Sequence, residues 1–321
     1  MPVIPTTAIP KPWVAQALME WSPDDQLYAA DLVMPMVGVQ VQTGTLPIVQ
    51  REDMLRVENT LLAPGATYGR VEFRQEGLEF RCVKNGLEAQ VTDEDRAVYK
   101  TAFDVELVKA KQVATLMAVR REARVAAATF SAAWTGGGAT LYTDVTAAPW
   151  TTAASDPFTQ IHAAVERVRL NSGMLPNALI MNTTNIGRLL YNTVVRARYP
   201  GAAIITRDML RDTLAQLFGI QHIIECGAIY SSAAEGAAFV GANIWSNLYC
   251  GVARVCTSAD LSEPGLARTI RWDAVAGGDS NVQVELYREN QTDSDVLKVK
   301  NYLDELILGT AYMHLLKVAA S

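Results

Sequence analysis

The clearest periodic pattern in the chain lies at residues 92–130. Apolar residues recur there at spacings of three or four, and no glycine or proline interrupts them, which predicts a long amphipathic helix. Thr92 and Asp95 have the spacing of a capping box, and the acidic residues at 93–95 place negative charge at the positive end of the helix dipole. The pattern therefore predicts one continuous helix over 92–130.

The second half of the chain alternates helical and strand-like patterns. Apolar residues at helical spacing predict helices at 156–173, 183–190 and 206–219. The residues that can cap their first turns are Asp156, Thr183 or Thr184, and Thr206. Short β-branched runs predict strands at 178–181, 220–226, 237–240, 247–255, 268–275 and 282–288. Residues 296–318 fit a last helix or a pair of strands, so the whole pattern predicts an α+β fold.

Residues 67–91 combine short alternating apolar runs with charges of both signs. Gly77 and the pair Asn85-Gly86 are typical of tight turns, so this segment is predicted to form strands joined by such turns. Its charged residues include Arg70, Arg74, Glu76, Glu79, Arg81 and Lys84. A two-stranded ribbon this polar is not stable by itself, so we expect it to lie against a further surface.

The first fifty residues are predicted to form an extended arm. Seven of the 13 prolines of the chain lie there, and proline both fixes φ and removes a backbone donor, which disfavours a compact helix. Apolar residues such as Trp13 and Trp21 give the segment anchors that a disordered tail lacks. We therefore expect the arm to lie along a folded surface.

Small residues dominate the segment 132–155, which is predicted to be a loop, with a boundary between two lobes near residue 150. The glycines at 136–138 are not followed by the lysine and the serine or threonine that a phosphate-binding loop uses. A flexible connection is therefore the preferred interpretation, and no nucleotide site is predicted there.

Composition and charge restrict the possible functions. Of 321 residues, 50% are hydrophobic and 19% are charged, which fits either a large core or extensive contact between subunits. The net charge is −6, so no global positive field attracts nucleic acid or anionic lipid. No apolar run is long enough to predict a membrane span, and the proline-rich start does not form a signal-peptide core. We expect no membrane contact and only weak direct affinity for DNA.

No catalytic, cofactor or metal site is predicted. The cysteines Cys82, Cys226, Cys250 and Cys256 lack a short repeated spacing and are expected to be free thiols. His222 and Cys226 are four apart, but β-branched neighbours favour a strand, in which they would lie about 13 Å apart, too far for one metal ion. An enzyme that uses Cys226 or Cys250 is an alternative of another class, although no base is placed beside either thiol.

The order of the predicted parts is a proline-rich arm, a charged hairpin, a long helix, a helix–strand–helix lobe and late strands. This order resembles that of the major capsid proteins of tailed bacteriophages, which have the HK-ninety-seven-type fold. The stretches most similar to that family are Asp156-Pro157-Phe158, 171–173, 176–182, 284–288, 294–299 and 306–318. The resemblance covers nearly the whole chain in order, and no single motif is diagnostic.

The resemblance implies a division of the chain into structural regions. Residues 1–50 would form the N-terminal arm, and 51–91 an extended β-hairpin loop that reaches a neighbour. Residues 92–155 and 258–321 would form the peripheral domain with its long spine helix, and 156–257 the axial domain around the capsomer centre. The residues implied to contact other subunits are Arg70, Arg74, Glu76, Glu79, Arg81, Lys84, Trp13 and Trp21.

The same resemblance implies a structural function without catalysis or cofactors. Many copies would assemble as hexamers and pentamers into an icosahedral head shell around double-stranded DNA, which would be confined without sequence-specific binding. Assembly would take place in the cytoplasm of a bacterial host, and the implied partners are a separately encoded scaffold protein, a portal and a decoration protein. An encapsulin-like compartment, in which the same fold encloses a protein cargo, is the alternative.

Overall fold

Helices and strands alternate along the chain. The computed structural model describes residues 9–10, 28–49, 51–58, 60–65, 67–99, 104–152, 155–199, 205–234, 236–276 and 282–320. Its strands, numbered in chain order, are β1 Ile9–Pro10, β2 Met36–Val39, β3 Thr43–Val49, β4 Gln75–Arg81, β5 Val83–Thr92, β6 Tyr142–Asp144, β7 Ala178–Asn182, β8 His222–Cys226, β9 Ile229–Ser231, β10 Gly241–Asn243, β11 Tyr249–Ala253, β12 Ala267–Trp272, β13 Gln283–Glu289, β14 Ser294–Ile307 and β15 Met313–Lys317. Its α-helices are α1 Ala30–Val33, α2 Arg51–Met54, α3 Asp93–Tyr99, α4 Val105–Thr129, α5 Ala132–Thr135, α6 Gly138–Leu141, α7 Pro157–Ser172, α8 Thr183–Tyr191, α9 Thr193–Ala197, α10 Arg207–Phe218 and α11 Asp273–Ala276.

A six-stranded sheet forms one lobe. Its strand order is β1-β13-β14-β12-β2, and β5 also pairs with the long strand β14. β14 has three neighbours because its first half pairs with β13, its second half pairs with β12, and most of its other edge pairs with β5. Alternate residues of a strand face opposite sides of the sheet, and Leu297 and Val299 on one side of β14 pack against Ala110 and Val113 of α4.

A five-stranded sheet with the order β6-β15-β11-β7-β8 forms the other lobe. All residues of β7 are buried, as is typical of a strand that is covered on both faces. Ala178 and Ile180 belong to the apolar cluster on one face, and Leu179 and Met181 belong to the cluster on the other face, which includes Ile161 of α7. The sheet therefore lies in the middle of a double core.

Helix α4 connects the two lobes. Ala110 and Val113 in its first half pack on the six-stranded sheet. Val125 and Ala126 in its last turns pack in the apolar cluster beside the five-stranded sheet. One helix of 25 residues therefore fixes the relative position of both sheets.

The single helix predicted over 92–130 is two helices, α3 and α4. The predicted cap is confirmed, because Thr92 Oγ1 accepts a hydrogen bond from the backbone N–H of Asp95 at 3.1 Å. The prediction of one continuous helix is wrong, because Asp104 starts a new one. Its carboxylate accepts a hydrogen bond from the backbone N–H of Glu106 at 3.0 Å, which is the role of an N-cap. Hydrophobic periodicity alone does not reveal that interruption.

The three helices predicted in the second half are confirmed, with one change of cap. Asp156 and Thr206 cap α7 and α10 as predicted. Helix α8 is capped by Asn182 and not by Thr183 or Thr184, since Asn182 Oδ1 accepts a hydrogen bond from the backbone N–H of Thr184 at 2.8 Å. Asparagine is a stronger N-cap than threonine, and it occurs first in the chain.

Four predicted strands are confirmed, with small shifts at their ends, as β7, β8, β11 and β13. The strand predicted at 237–240 lies later, as β10, and the one predicted at 268–275 divides into β12 and helix α11. Residues 296–318 contain strands and no α-helix, but β14 and β15 belong to different sheets. The segment 132–155, predicted to be a loop, contains the short elements α5, α6 and β6.

The hairpin predicted at 67–91 is replaced by a different pairing. β4 pairs antiparallel with β3, and Gly77 lies opposite Pro47. β5 pairs with β14, and Gly86 lies opposite Lys300. The predicted tight turns at Gly77 and Asn85-Gly86 are therefore wrong, since these residues lie inside strands. Local turn signals do not reveal partners that lie this far away along the chain.

Candidate assembly surface

The two-stranded sheet of β3 and β4, called the ribbon below, is attached to the body of the protein by one face. Leu46 and Phe80 on that face are buried in a cluster with Cys82 and Ile270. Glu79 lies on the other face and is exposed. The ribbon is therefore anchored on one side, while its other side faces solvent.

Asp53 joins the two ends of the segment 54–73, which leads into the ribbon. Its carboxylate accepts hydrogen bonds from the backbone N–H of Arg74 at 2.9 Å, from the Arg74 guanidinium at 3.2 Å and from the Arg56 guanidinium at 3.0 Å. The hydrogen bonds from Arg74 are the main cause that lowers the pKa of Asp53 to about 2. Arg74, a predicted contact residue, is thus paired within its own chain.

The segment 54–73, called the apolar loop below, exposes large apolar side chains. They are Met54, Leu55, Val57, Leu61, Leu62, Tyr68, Val71 and Phe73. Val57 is 97% exposed, Leu61 is 88% exposed and Tyr68 is 84% exposed. Monomeric soluble proteins rarely expose a large contiguous apolar group, so this surface has the character of a contact site for another macromolecule.

Four of the predicted contact residues are exposed in the apolar loop or on β4. Arg70 lies in the apolar loop and is exposed, as are Glu76 and Glu79 on β4. Arg81 is exposed at the end of β4, where its backbone N–H donates a hydrogen bond to the Asp304 carboxylate at 2.8 Å.

The remaining predicted contact residues are Lys84, Trp13 and Trp21. Lys84 is on β5, opposite Tyr302 in the six-stranded sheet, and is not part of the ribbon. Trp13 and Trp21 lie outside the described residues. The ribbon therefore carries Glu76, Glu79 and Arg81 on β4, with Arg74 just before it, whereas Lys84 lies in the neighbouring strand β5.

Charge patterning missed the apolar residues of the loop, although the sequence carries a signal for them. Met54, Val57 and Leu61 have the spacing of one helix face, but the pattern spans only about two turns and stops at Pro64-Gly65. A helix this short is marginal without a surface to pack against. The pattern therefore marks these apolar residues as a candidate contact face.

A second exposed apolar group lies on the hairpin of β9 and β10, which pair antiparallel. Phe239 and Val240 in its connection are exposed, and so are Ile229 and Tyr230 on β9. This hairpin belongs to the lobe of the five-stranded sheet. Exposed apolar side chains thus occur on two separate segments of the chain.

Glu122 holds three separate segments together inside the protein. It is buried, and its Oε1 accepts hydrogen bonds from the backbone N–H of Ala29 at 2.8 Å and from Trp245 Nε1 at 2.5 Å. Its Oε2 accepts one from the backbone N–H of Ala30 at 2.9 Å. Burial raises the pKa of Glu122, although these hydrogen bonds oppose the rise. The carboxylate therefore ties α1 and the segment around Trp245 to α4.

The thiols are free but inaccessible. All four cysteines are buried, and burial raises the pKa of Cys82 to about 11 and the pKa of Cys226 and Cys250 well above the usual range. A buried thiol of raised pKa is not a nucleophile at neutral pH, which contradicts the alternative of an enzyme using Cys226 or Cys250. Within the described ranges, no group of histidine, cysteine and acidic side chains could hold a metal ion, and no helix could cross a membrane.

Comparison with known proteins gives matches at the level of structure. No protein-family model and no curated protein sequence matches the chain. A phage-related protein from Bordetella bronchiseptica matches with a TM-score of 0.72 and 20% identity over 98% of each chain. The capsid protein of cyanophage P-SCSP1u matches with a TM-score of 0.57 and 15% identity over 90% of this chain and 87% of its own. An encapsulin from Synechococcus elongatus matches with a TM-score of 0.50 and 10% identity over 90% of this chain and 86% of its own.

These matches confirm the fold that the sequence predicts. The chain has an α+β architecture shared with phage capsid proteins over nearly its whole length.

Proposed function

We propose that the chain is the major capsid protein of a tailed bacteriophage, a structural subunit that builds the head shell around double-stranded DNA. The apolar loop carries this proposal, because it gives each subunit a large apolar surface that the described part of its own chain leaves exposed. Contact with a further copy buries that surface in every subunit. The fold shared with a cyanophage capsid protein supports the same function.

In the proposed contact, the apolar loop of one copy binds a different surface of the next copy. Such a head-to-tail contact gives a closed ring when the rotation from each subunit to the next adds up to a full turn. Hexamers and pentamers of this kind form an icosahedral shell. Arg70, Glu76, Glu79 and Arg81 would flank the contact, where exposed ion pairs set orientation more than affinity. Trp13 and Trp21 of the arm are proposed to contact neighbours as well.

The proposal keeps the division into an arm (1–50), an extended loop region (51–91), a peripheral domain (92–155 and 258–321) and an axial domain (156–257). The ribbon takes β3 from the arm and β4 from the loop region. Assembly in the host cytoplasm would use a scaffold protein and a portal, and a decoration protein could bind the outer surface. The mature location would be the virion capsid, with no catalytic role.

An encapsulin-like compartment is the second candidate, because an encapsulin shares the fold over 90% of this chain. Both functions require a closed shell, and they differ in what the shell encloses. A phage head contains double-stranded DNA, whereas a compartment contains a protein cargo. The contents of particles isolated from the native source therefore separate the two.

Negative-stain electron microscopy of the purified chain, produced together with its scaffold protein, tests the proposal. Closed shells or rings of capsomers are expected, because stable association needs a large buried interface that the apolar loop supplies. A monodisperse monomer at high concentration would contradict the proposal. Particles isolated from the native source should release DNA that a nuclease digests once the shell is disrupted. Particles that are filled with one protein and free of DNA would support the compartment instead.

A further inference from the structure

A basic groove of about 340 Å³ lies between helix α4 and strand β5. The side chains that line it are Lys84, Asn85 and Leu87 from β5, Met117, Arg120 and Arg124 from α4, and Asn301 from β14. Three of them are cationic, and none of the lining residues is acidic. The groove therefore presents positive charge on a chain whose net charge is −6.

Within the part of the chain that the structure describes, two of the three cations have no acidic partner. Arg124 pairs with Glu305 at 2.6 Å. In the described ranges, no carboxylate lies within 4.0 Å of the charged groups of Lys84 or Arg120, and both side chains are exposed. Solvated cations with no counter-charge attract a mobile or polymeric anion.

The acidic residues of helix α4 do not neutralise the field of the groove, because Glu106 pairs with Arg96 at 2.6 Å and Glu122 is buried. Lys111 is nine residues before Arg120 on the same helix, which places it on the opposite side of the helix and outside the groove. The positive charge that faces the groove therefore comes from Lys84, Arg120 and Arg124.

Asn301 adds an independent feature of the groove. Its side-chain oxygen is buried and has no hydrogen-bond partner among the described residues. Rotating the Asn301 side-chain amide by 180° places its NH₂ group where the oxygen lies, and an NH₂ group can donate a hydrogen bond to an anion. The wall of the groove is therefore able to supply a neutral donor beside Lys84 and Arg120.

We propose that this groove binds a backbone phosphate of duplex DNA inside the shell, with Lys84 and Arg120 supplying the charge. The inference rests on the proposed capsid function and names the surface by which the shell contacts its genome. Binding is independent of sequence, because the phosphate backbone is the same in every duplex. The apolar loop of a second copy does not match the groove, since that loop presents aliphatic and aromatic side chains and the groove presents cations.

Fluorescence anisotropy of a labelled duplex with the full-length, unassembled chain at several salt concentrations tests the inference. Removing the contact with one phosphate in K84Q/R120Q should reduce the slope of log K against log salt by about 1, because each neutralised phosphate contributes about 0.9. K84R/R120K keeps the charges and should keep the slope. R196Q removes an exposed arginine of α9, outside the groove, and should leave the slope unchanged.

Three results would overturn the inference. One is an unchanged slope in K84Q/R120Q. Another is displacement of the duplex by inorganic phosphate at constant ionic strength, which would show that the groove takes the free ion. The third is loss of particles in K84Q/R120Q, which would make the groove a contact between subunits. Electron microscopy of the same variants separates the two proposals: if the unaltered chain forms shells but the slope does not change, only the DNA groove fails.

Discussion

The carboxylate of Asp53 accepts a hydrogen bond from the backbone N–H of Arg74 at 2.9 Å, so the two ends of the apolar loop are tied together. A loop with tied ends has fewer conformations than one with free ends. It therefore loses less conformational entropy when it binds a neighbour. The hydrogen bond between Asp53 and Arg74, called the clamp below, therefore lowers the entropic cost of bringing the exposed apolar loop into contact with a neighbour.

Replacing Asp53 with asparagine should loosen the apolar loop without unfolding the subunit. Asparagine keeps one oxygen that can accept from the Arg74 N–H but loses the charge that attracts the guanidinium groups of Arg56 and Arg74. Hydrogen exchange measured by mass spectrometry should become faster in 54–73 and stay unchanged in β7 and β11. Glu79→Gln, which removes an exposed charge from the ribbon, is the control. Equal exchange of the loop in Asp53→Asn and in the unaltered chain would show that the clamp does not hold it.

The clamp should also depend on pH in a defined window. The pKa of Asp53 is about 2 in the folded chain and 3.8 ordinarily, so ionised Asp53 stabilises the folded loop. This contribution is complete above about pH 4 and is lost as the pH falls through about 2. Limited pepsin digestion at several acid pH values should therefore cut the loop faster only toward the lower end of that range. Cleavage that is already fast at pH 4 would contradict the assigned pKa.

Replacing Glu122 with glutamine should destabilise the subunit. The two carboxylate oxygens accept from three donors, and an amide leaves at least one of those donors facing an NH₂ group. A buried donor without an acceptor costs about 1–3 kcal/mol. Urea unfolding of the unassembled subunit should show that loss, whereas Glu166→Gln on the exposed side of α7 should change stability little. Unchanged stability of Glu122→Gln would mean that the carboxylate does not join α1 to α4.

His314 should make the subunit less stable in mild acid. The ring is buried between Thr143 Oγ1 at 2.9 Å and the backbone oxygen of Thr140 at 3.0 Å. Burial is the main cause that lowers its pKa below 6.5, and the charge of Arg167 adds to the effect. The unfolded chain therefore takes up a proton first, and stability falls as the pH drops below about 6.5, by at most about 1.4 kcal/mol per pH unit.

Urea unfolding at several pH values between about 7.5 and 5 measures this effect. The difference in unfolding free energy between the unaltered chain and His314→Gln should shrink as the pH falls, because the variant has no group to titrate at this position. His222→Gln removes an exposed histidine of β8 and is the control. A constant difference at every pH would exclude His314 as the titrating group.

Elements whose signals are local could be predicted from the sequence. Gly173 and Gly219 end α7 and α10 with φ of 73° and 68°, and a glycine at such a position is a recognisable stop signal. Asp104 starts α4 with equally local contacts, but aspartate also occurs inside helices, and the uninterrupted apolar period hides it. The predicted fold class did not depend on that boundary.

Pairing between distant strands could not be predicted, and this limited the prediction of the candidate site. β3 and β4 are separated by the apolar loop, and no turn residue marks their register. The charges of Arg70 and Glu79 directed the prediction to this region, whereas Val57 and Leu61 carry the larger exposed apolar surface. Charged residues can be identified from the sequence, but whether an apolar side chain is exposed depends on the tertiary structure of the rest of the chain.

Deletion of residues 76–86 is not a clean test of the ribbon. Phe80 and Cys82 are buried in a core cluster, and Gly86 lies in β5, so the deletion would damage the subunit itself. Substitutions at the most exposed positions of the apolar loop avoid this problem. Val57, Leu61 and Tyr68 make the best choice because their side chains are almost fully exposed in one subunit.

Particle yield by sedimentation of the triple variant V57S/L61S/Y68S tests the capsid proposal most directly. The subunit should keep its thermal unfolding transition, since these side chains contribute little to its own core, and particles should be lost because the contact surface has become polar. The matched variant V57L/L61M/Y68F keeps the surface apolar and should still assemble. Normal particle yield from the serine variant would contradict the central claim that the apolar loop builds the shell.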